Sequence, residues 1–244
     1  MTQPGTTTAP VLKPGVLSSR AQPVLPGHDL LLRPWQEADA EQVARAYEDP
    51  AIHRWHARSL SIDQARSWVK FERDRWAQER GASWAVTVRG DLAGRVALGG
   101  LDLHEACAEI SYWVLPQHRG QGVAVRAVST LVDWAFGDLA LHRVELQHST
   151  LNKASCRVAL AAGFCAEGTL RAKALHLDGW HDMHVHALIA GDVRPAVRAG
   201  DTSAPAEVDG HVPTTAATVM KSPTTSTAAP SIRIARTELM KLPE

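Results

Sequence analysis

Three strand-like segments follow one another before the long apolar helix of this chain begins. Trp84, Val86 and Val88 alternate as a strand requires, and residues 95–103 and 109–114 repeat the pattern. Gly90-Asp91 and residues 104–106 read as hairpin turns between them. A doubly wound fold must alternate strand with helix, so three strands in succession exclude it and predict a mixed, mostly antiparallel sheet of the α+β class. The flanking periodicity fits. Leu30 to Arg33 is a strand stopped by Pro34, Asp39 caps a helix to about Tyr47, and Asp49-Pro50 breaks it. Ser61 caps a second helix with Ile62, Ala65, Val69 and Trp76 at helical spacing, ended by Gly81. After the strands come a helix over about 123–136, a strand over 143–149, a helix over 153–162, and two strands near 164–177 and 183–189. The order is β-α-α-β-β-β-α-β-α-β-β.

Charge and composition narrow the function. The 244 residues carry 26 basic and 26 acidic side chains with 45% hydrophobic residues. A balanced chain without a basic cluster has no field to collect nucleic acid or anionic lipid. Its apolar runs fall short of the roughly 20 residues of a membrane span. Neither nucleic acid nor a membrane is an expected partner. Residues 1–27 contain Pro10, Pro14, Pro23 and Pro26 and lack the apolar core of a signal peptide, so they read as a disordered extension. Residues 193–244 read as a disordered Thr/Ala/Pro-rich tail, in which 231–244 regain Ile232, Ile234, Leu239 and Leu242 as a frayed end or a short docking segment. The single domain is expected over 28–192. Cys107, Cys156 and Cys165 are odd in number and far apart, which fits neither a disulfide frame nor a zinc site and points to the reduced cytoplasm.

The segment with most chemical content runs from the strand Glu109-Ile-Ser-Tyr112-Trp113-Val114 through Gln117-His-Arg119-Gly120-Gln121-Gly122-Val123-Ala124-Val125 into the long helix. A glycine-rich turn at a helix start lets backbone N–H groups converge on a phosphate, and it is also an ordinary connector. Pro116-x-x-Arg119-Gly-x-Gly122-x-Ala124 resembles the acetyl-coenzyme A loop of the GNAT N-acetyltransferase superfamily. Asn152-x-x-Ser155, Ala159 to Gly163-Phe164 and Glu167-Gly168 resemble the later motif of its Rim-type branch of ribosomal-protein N-acetyltransferases. Leu32-Arg-Pro-Trp35 and Gly179-Trp180-His-Asp182 look like that branch too, and together these blocks cover about 30–192.

The resemblance implies a sheet splayed at its centre, with acetyl-CoA entering between the strand ending at Val114 and the strand ending near Ser149. It implies that the amides of Gly120 to Val125 hold the pyrophosphate, with Gln121 and Val123 in that run. Arg119 and Arg126 flank the turn and add charge against the phosphates, Arg126 reading equally as a solvated charge on an exposed helix face. The backbone of Tyr112, Trp113 and Val114 would lie beside the thioester, and the Val114 N–H, at a bulge, would polarise its carbonyl. Asn152 would bond the pantetheine arm, and Ser155 would protonate the departing thiolate. Both residues equally suit the start of a helix. Glu109 and Glu145 are alternative bases, whichever faces the cleft; each is also an ordinary strand carboxylate. Some Rim-type enzymes place a carboxylate seven residues after the Glu167 equivalent, where this chain has Ala174. The loop at 49–58, with His53, Trp55 and His56, is assigned to acceptor binding with Trp113, or else to interhelical packing with Trp55 as a plug. Trp68, Trp76 and Trp84 read as core.

His181, His184 and His186 cluster near the end of the domain and read as a surface or edge-strand group, with no metal. The reading that follows is an acetyl-CoA-dependent N-acetyltransferase acting by direct attack of a primary amine, with a protein N-terminal α-amine as acceptor. A small amine such as an aminoglycoside or polyamine is the alternative acceptor, and a non-catalytic acyl-CoA sensor the alternative class. Family habit implies a homodimer. A nucleotide-binding use of the glycine turn is disfavoured by the strands that precede it and by the lack of a following βαβ acidic residue.

Overall fold

The successive strands fold as a meander whose last member splits from its neighbour, and that split creates the site. The computed structural model describes residues 8–56 and 58–195. Their elements are β1 (Leu25–Gly27), β2 (Leu30–Pro34), α1 (Ala40–Glu48), α2 (Pro50–His56), α3 (Ile62–Ala77), β3 (Gly81–Val88), β4 (Asp91–Asp102), β5 (Cys107–Val114), α4 (Val123–Gly137), β6 (Arg143–Ser149), α5 (Lys153–Ala161), β7 (Cys165–His176) and β8 (Gly179–Ile189). One sheet holds the strands in the order β1-β2-β3-β4-β5-β6-β8-β7. Every neighbouring pair is antiparallel except β5 and β6, which run parallel. Those two pair only from Cys107 to Glu109 against Arg143 to Glu145. Beyond that point each strand continues without the other, as the expected splay requires.

Strand alternation divides the core between the two faces of the sheet. Ala108 and Ile110 of β5 pack with Val128, Leu131 and Val132 of α4. Trp113 faces the other way, among Trp35, Tyr47 and Trp68. Trp68, Trp76 and Trp84 are buried, as their spacing predicts. The Ser61 cap of α3 is a full capping box: its Oγ accepts from Gln64 N, and the Gln64 side chain accepts from Ser61 N. Asp39 starts α1 without capping it through its side chain. Its carboxylate instead accepts from Gln36 N and pairs with Arg33 at 2.7 Å.

Two expectations change. Most of the segment read as a loop over 49–58 is helical: Pro50 opens α2 (Pro50–His56), and the Asp49 carboxylate accepts from Ile52 N at 2.9 Å. Asp-Pro ends one helix, but proline at the first helical position also starts the next, because its missing N–H would be unbonded there in any case. The extension read as 1–27 packs on the domain from residue 8 onward. Leu12, Leu17 and Leu25 are buried in the main core. The Glu79 carboxylate accepts from the backbone N–H groups of Gly15, Leu17 and Ser18, while the indole N–H groups of Trp76 and Trp84 donate to Arg20 O and Pro23 O. Prolines interrupt that segment without preventing its leucines from docking. The tail lies outside the described residues from 196 on. Among the described residues no helix is long and apolar enough to cross a membrane.

Candidate active site

Gly120 stands at φ 71° and Gly122, the N-cap of α4, at φ 69°. Both values lie in the left-handed region that favours glycine. A Cβ on Gly120 would meet nothing within 4 Å, so conformation rather than crowding calls for glycine there. Gly120, Gly122, Val123, Ala124 and Val125 line a cleft of about 780 Å3 with Val114, Arg119, Arg126, Asn152 and Ser155. The first turn of α4 carries no acidic side chain, so its N-terminal partial charge is not cancelled. Arg126, expected on an exposed helix face, is buried, donates to Gln121 O at 2.7 Å, and leaves its Nε without a partner among the described residues. An orphaned guanidinium N–H in a cleft that ends on a helix N-terminus fits a phosphate-bearing ligand.

Arg119 is committed elsewhere. Its guanidinium pairs with Asp49 at 2.6 Å, and its Nε donates to Val114 O at 3.0 Å. Burial works to raise the Asp49 pKa, and the Arg119 hydrogen bond with the Ile52 N–H outweighs it, leaving the carboxyl below its ordinary value. Arg119 thus fastens the turn and the end of β5 to the start of α2, while still lining the cleft. Gln121 does not line it; its side chain donates back to Gln117 O.

Val114 ends β5, in the stretch that no longer pairs with β6. Leu115 N donates to Ala93 O, and Val114 stands opposite Gly94, so the alternation of an antiparallel ladder turns the Val114 N–H away from β4 and toward the split. The expected bulge is not on β5, whose register is regular here. The irregularity lies across the ladder on β4, where pairing with β3 shifts between Val86 and Thr87.

A second cavity of about 180 Å3 adjoins the cleft and shares Trp55, His56, Tyr112, Asn152 and Ser155 with it. At this seam the Tyr112 hydroxyl lies 2.8 Å from Ser155 Oγ, and burial pushes the phenol pKa up to about 12. Asn152 caps α5 by accepting from Ser155 N at 3.0 Å. Glu109 lines the smaller cavity; Glu145 does not, and pairs with Arg143 at 2.9 Å. Of the residues assigned to an acceptor, Trp55 lines both cavities. His53, in the same short helix, lines neither, and Trp113 borders only the larger cleft, its ring buried beside Trp35 and Tyr47.

Sequence reasoning missed the Tyr112 hydroxyl and the Glu72–Arg95 group, and placed His56 in the acceptor segment without a role of its own. Tyr112 enters through its hydroxyl and not only its backbone. His56, one residue beyond Trp55, is held neutral: burial, then the charges of Arg95 and Arg58, push its pKa down to about 4. Glu72 and Arg95 border the smaller cavity as part of a buried ion group, in which Glu72 takes Arg75 at 2.9 Å and Arg95 at 3.2 Å. That group had a signal. Glu72 stands four residues from both Trp68 and Trp76, so it falls on the apolar stripe of α3 where a carboxylate needs a buried partner.

The family model described as Acetyltransferase (GNAT) domain matches residues 29–165. The chain belongs to the GNAT acetyltransferases. Among curated relatives, an uncharacterized N-acetyltransferase of Bacillus subtilis, YoaA, is 29% identical over 171 residues, 68% of this chain and 97% of that protein. The ribosomal-protein-serine acetyltransferase of Escherichia coli is 29% identical over 99 residues, 41% of this chain and 55% of that protein. A solved probable acetyltransferase superposes with a TM-score of 0.64 at 26% identity, over 68% of this chain and 96% of its own. As a GNAT enzyme the protein is an N-acetyltransferase that takes acetyl-CoA as cosubstrate and an amine as acceptor. The expected family, fold class and reaction type therefore stand.

Proposed function

We propose that this GNAT enzyme acetylates the α-amine of a protein N-terminus. The observation that carries the reading is the small cavity joined to the coenzyme cleft at Tyr112 and Ser155. About 180 Å3 admits one end of a chain and little more. The relative named a ribosomal-protein-serine acetyltransferase is consistent with that choice of acceptor.

Acetyl-CoA supplies the acetyl group as a thioester. The turn amides from Gly120 to Val125 hold its pyrophosphate, helped by Arg126, and Asn152 bonds the arm. The Val114 N–H, aimed into the split, stabilises the negative charge that develops on the carbonyl oxygen, a device that usually supplies the largest share of such catalysis. Tyr112 and Ser155 form a donor pair at the sulfur side. A phenol whose pKa is near 12 stays protonated at neutral pH and orients the Ser155 hydroxyl toward the departing thiolate. An α-amine with a pKa of about 8 reaches its neutral form with little help, whereas a lysine near 10.4 would cost about 4–5 kcal/mol at pH 7. Neutral His56 is too weak a base to assist a lysine, and Glu109 takes the proton that the α-amine sheds.

Calorimetric titration with acetyl-CoA beside ADP tests the cleft first, with Gly122→Asp as the variant that crowds and charges the turn. Turnover is then measured on peptides with free N-termini, on the same peptides blocked at the N-terminus but carrying lysine, and on aminoglycosides and polyamines. Acetylation confined to free N-termini is the expected result. Turnover of small amines or lysines alone overturns the acceptor assignment, and coenzyme binding with no turnover of any amine marks a sensor.

A further inference from the structure

His184 and His186 lie on one face of β8, where His148 of β6 joins them: the register pairs His148 with His184 and Leu146 with His186. The face is covered rather than exposed, with His186 2% and His148 5% accessible. Cys156, from the first turn of α5, completes the group, and one donor atom from each of the four side chains lies within 4.8 Å of the other three. His181, their neighbour in sequence, points elsewhere and bonds Ser149 and Asp178. The cluster is therefore neither a surface group nor one built from adjacent residues; its Cys and third His come from distant segments that no sequence spacing would join.

Hydrogen bonding inside the group leaves lone pairs over. His148 Nδ1 must carry its proton to donate to Ser149 O at 2.8 Å, so its Nε2 presents a lone pair. That atom faces His186 Nε2 at 3.1 Å. If His186 donates there, its Nδ1, buried without a partner among the described residues, keeps a bare lone pair; if it does not, two lone pairs confront each other. A cation taken by both Nε2 atoms removes the conflict between the facing lone pairs, with the His186 proton on Nδ1. Three imidazoles and a thiol with no carboxylate form a borderline-soft set of the kind that selects Zn2+ over Mg2+ or Ca2+. Tetrahedral zinc at about 2.0–2.1 Å from nitrogen sets its donors about 3.3 Å apart, close to the observed nitrogen pair.

We propose that His148, Cys156, His184 and His186 bind a Zn2+-type ion that ties the first turn of α5, and with it Ser155, to β6 and β8. The ion takes no part in acetyl transfer; it fixes the helix that carries the sulfur-side donor.

The test uses the full chain, stripped with chelator and titrated with Co2+, then with Zn2+ as competitor. The expected result is one Co2+ per chain, with the intense visible bands of four-coordinate cobalt and a thiolate-to-cobalt charge-transfer band, all removed by Zn2+. Cys156→Ala abolishes the charge-transfer band, and His184→Asn weakens binding by about 10–100-fold or more. A weak six-coordinate spectrum, no charge-transfer band in the wild type, or binding unchanged in both variants overturns the proposal. Should a variant fail to fold, the wild-type band shows whether a thiolate binds, and alkylation of the cobalt-loaded chain decides which: protection of Cys156 with Cys107 and Cys165 still reactive supports the site, and protection of either other cysteine instead overturns it.

Discussion

The Tyr112 hydroxyl meets Ser155 Oγ at 2.8 Å, in the seam where the coenzyme cleft opens into the smaller cavity. One partner comes from β5 and the other from α5, so this contact joins the two sides of the split between the parallel strands. Removing either hydroxyl should lower kcat by about 100-fold, the low end of the range for a lost proton donor. Tyr112→Phe and Ser155→Ala are expected to leave acetyl-CoA affinity within about threefold. The double variant should lose little more than either single one, since the pair acts as one unit. Steady-state kinetics with calorimetry of coenzyme binding checks this, and multiplicative losses in the double variant would show two separate roles.

Removing residues 1–20 should destabilise the domain rather than trim a loose end. The deletion exposes the pockets of Leu12 and Leu17 and takes away the acceptor of the Trp76 indole N–H. Two buried leucines contribute about 3–6 kcal/mol. A domain of this size loses about 2–4 °C in Tm per kcal/mol, so a fall of more than about 6 °C is expected. Thermal unfolding followed by circular dichroism measures it; an unchanged Tm would mean that the segment rests on the surface without supporting it.

What the sequence made legible and what it hid follow one physical distinction. Strands, the glycine turn and the capping box at Ser61 depend on local pattern, and they lie where that pattern puts them. Asp49-Pro50 was ambiguous because the same dipeptide ends α1 and begins α2. Arg119 read as a phosphate ligand until the fold supplied Asp49, seventy residues away, as its partner. His53 and His56 share a short helix, and only its orientation against β5 decides that the second faces the site. Glu109 and Glu145 stand opposite each other in the ladder, yet Arg143 beside Glu145 separates their roles. Such assignments depend on contacts between distant segments, which spacing alone does not encode.

His56 should make stability fall on mild acidification. Its pKa is about 4 in the folded chain against 6.5 for an ordinary histidine. Between those values the unfolded chain binds a proton that the native one does not, so stability is complete above about pH 6.5 and declines as pH falls toward 4. Urea midpoints measured across that window should drop for the wild type and drop less steeply for His56→Gln. Parallel slopes would assign the acid sensitivity to other groups.

Glu72 should be the most sensitive charge in the domain. Its carboxylate, buried at 2% exposure, holds Arg75 and Arg95, and Arg95 also donates to Ser83 and Ser111 while lying over the Trp68 ring. Removing the one acid leaves two buried guanidinium groups without compensation, which costs about 3–5 kcal/mol. Glu72→Gln keeps the shape and removes the charge, so it should unfold well below the wild type. Replacing Glu72, Arg75 and Arg95 together by apolar residues of similar volume should recover much of that stability, because the desolvation penalty of all three charges disappears with them. The triple variant would still lose acceptor binding, since Glu72 and Arg95 border the smaller cavity. Denaturation and kinetics on the same pair of proteins therefore separate the group's two parts: a stable triple variant with a raised acceptor KM places it in recognition, and one with wild-type KM confines it to the fold.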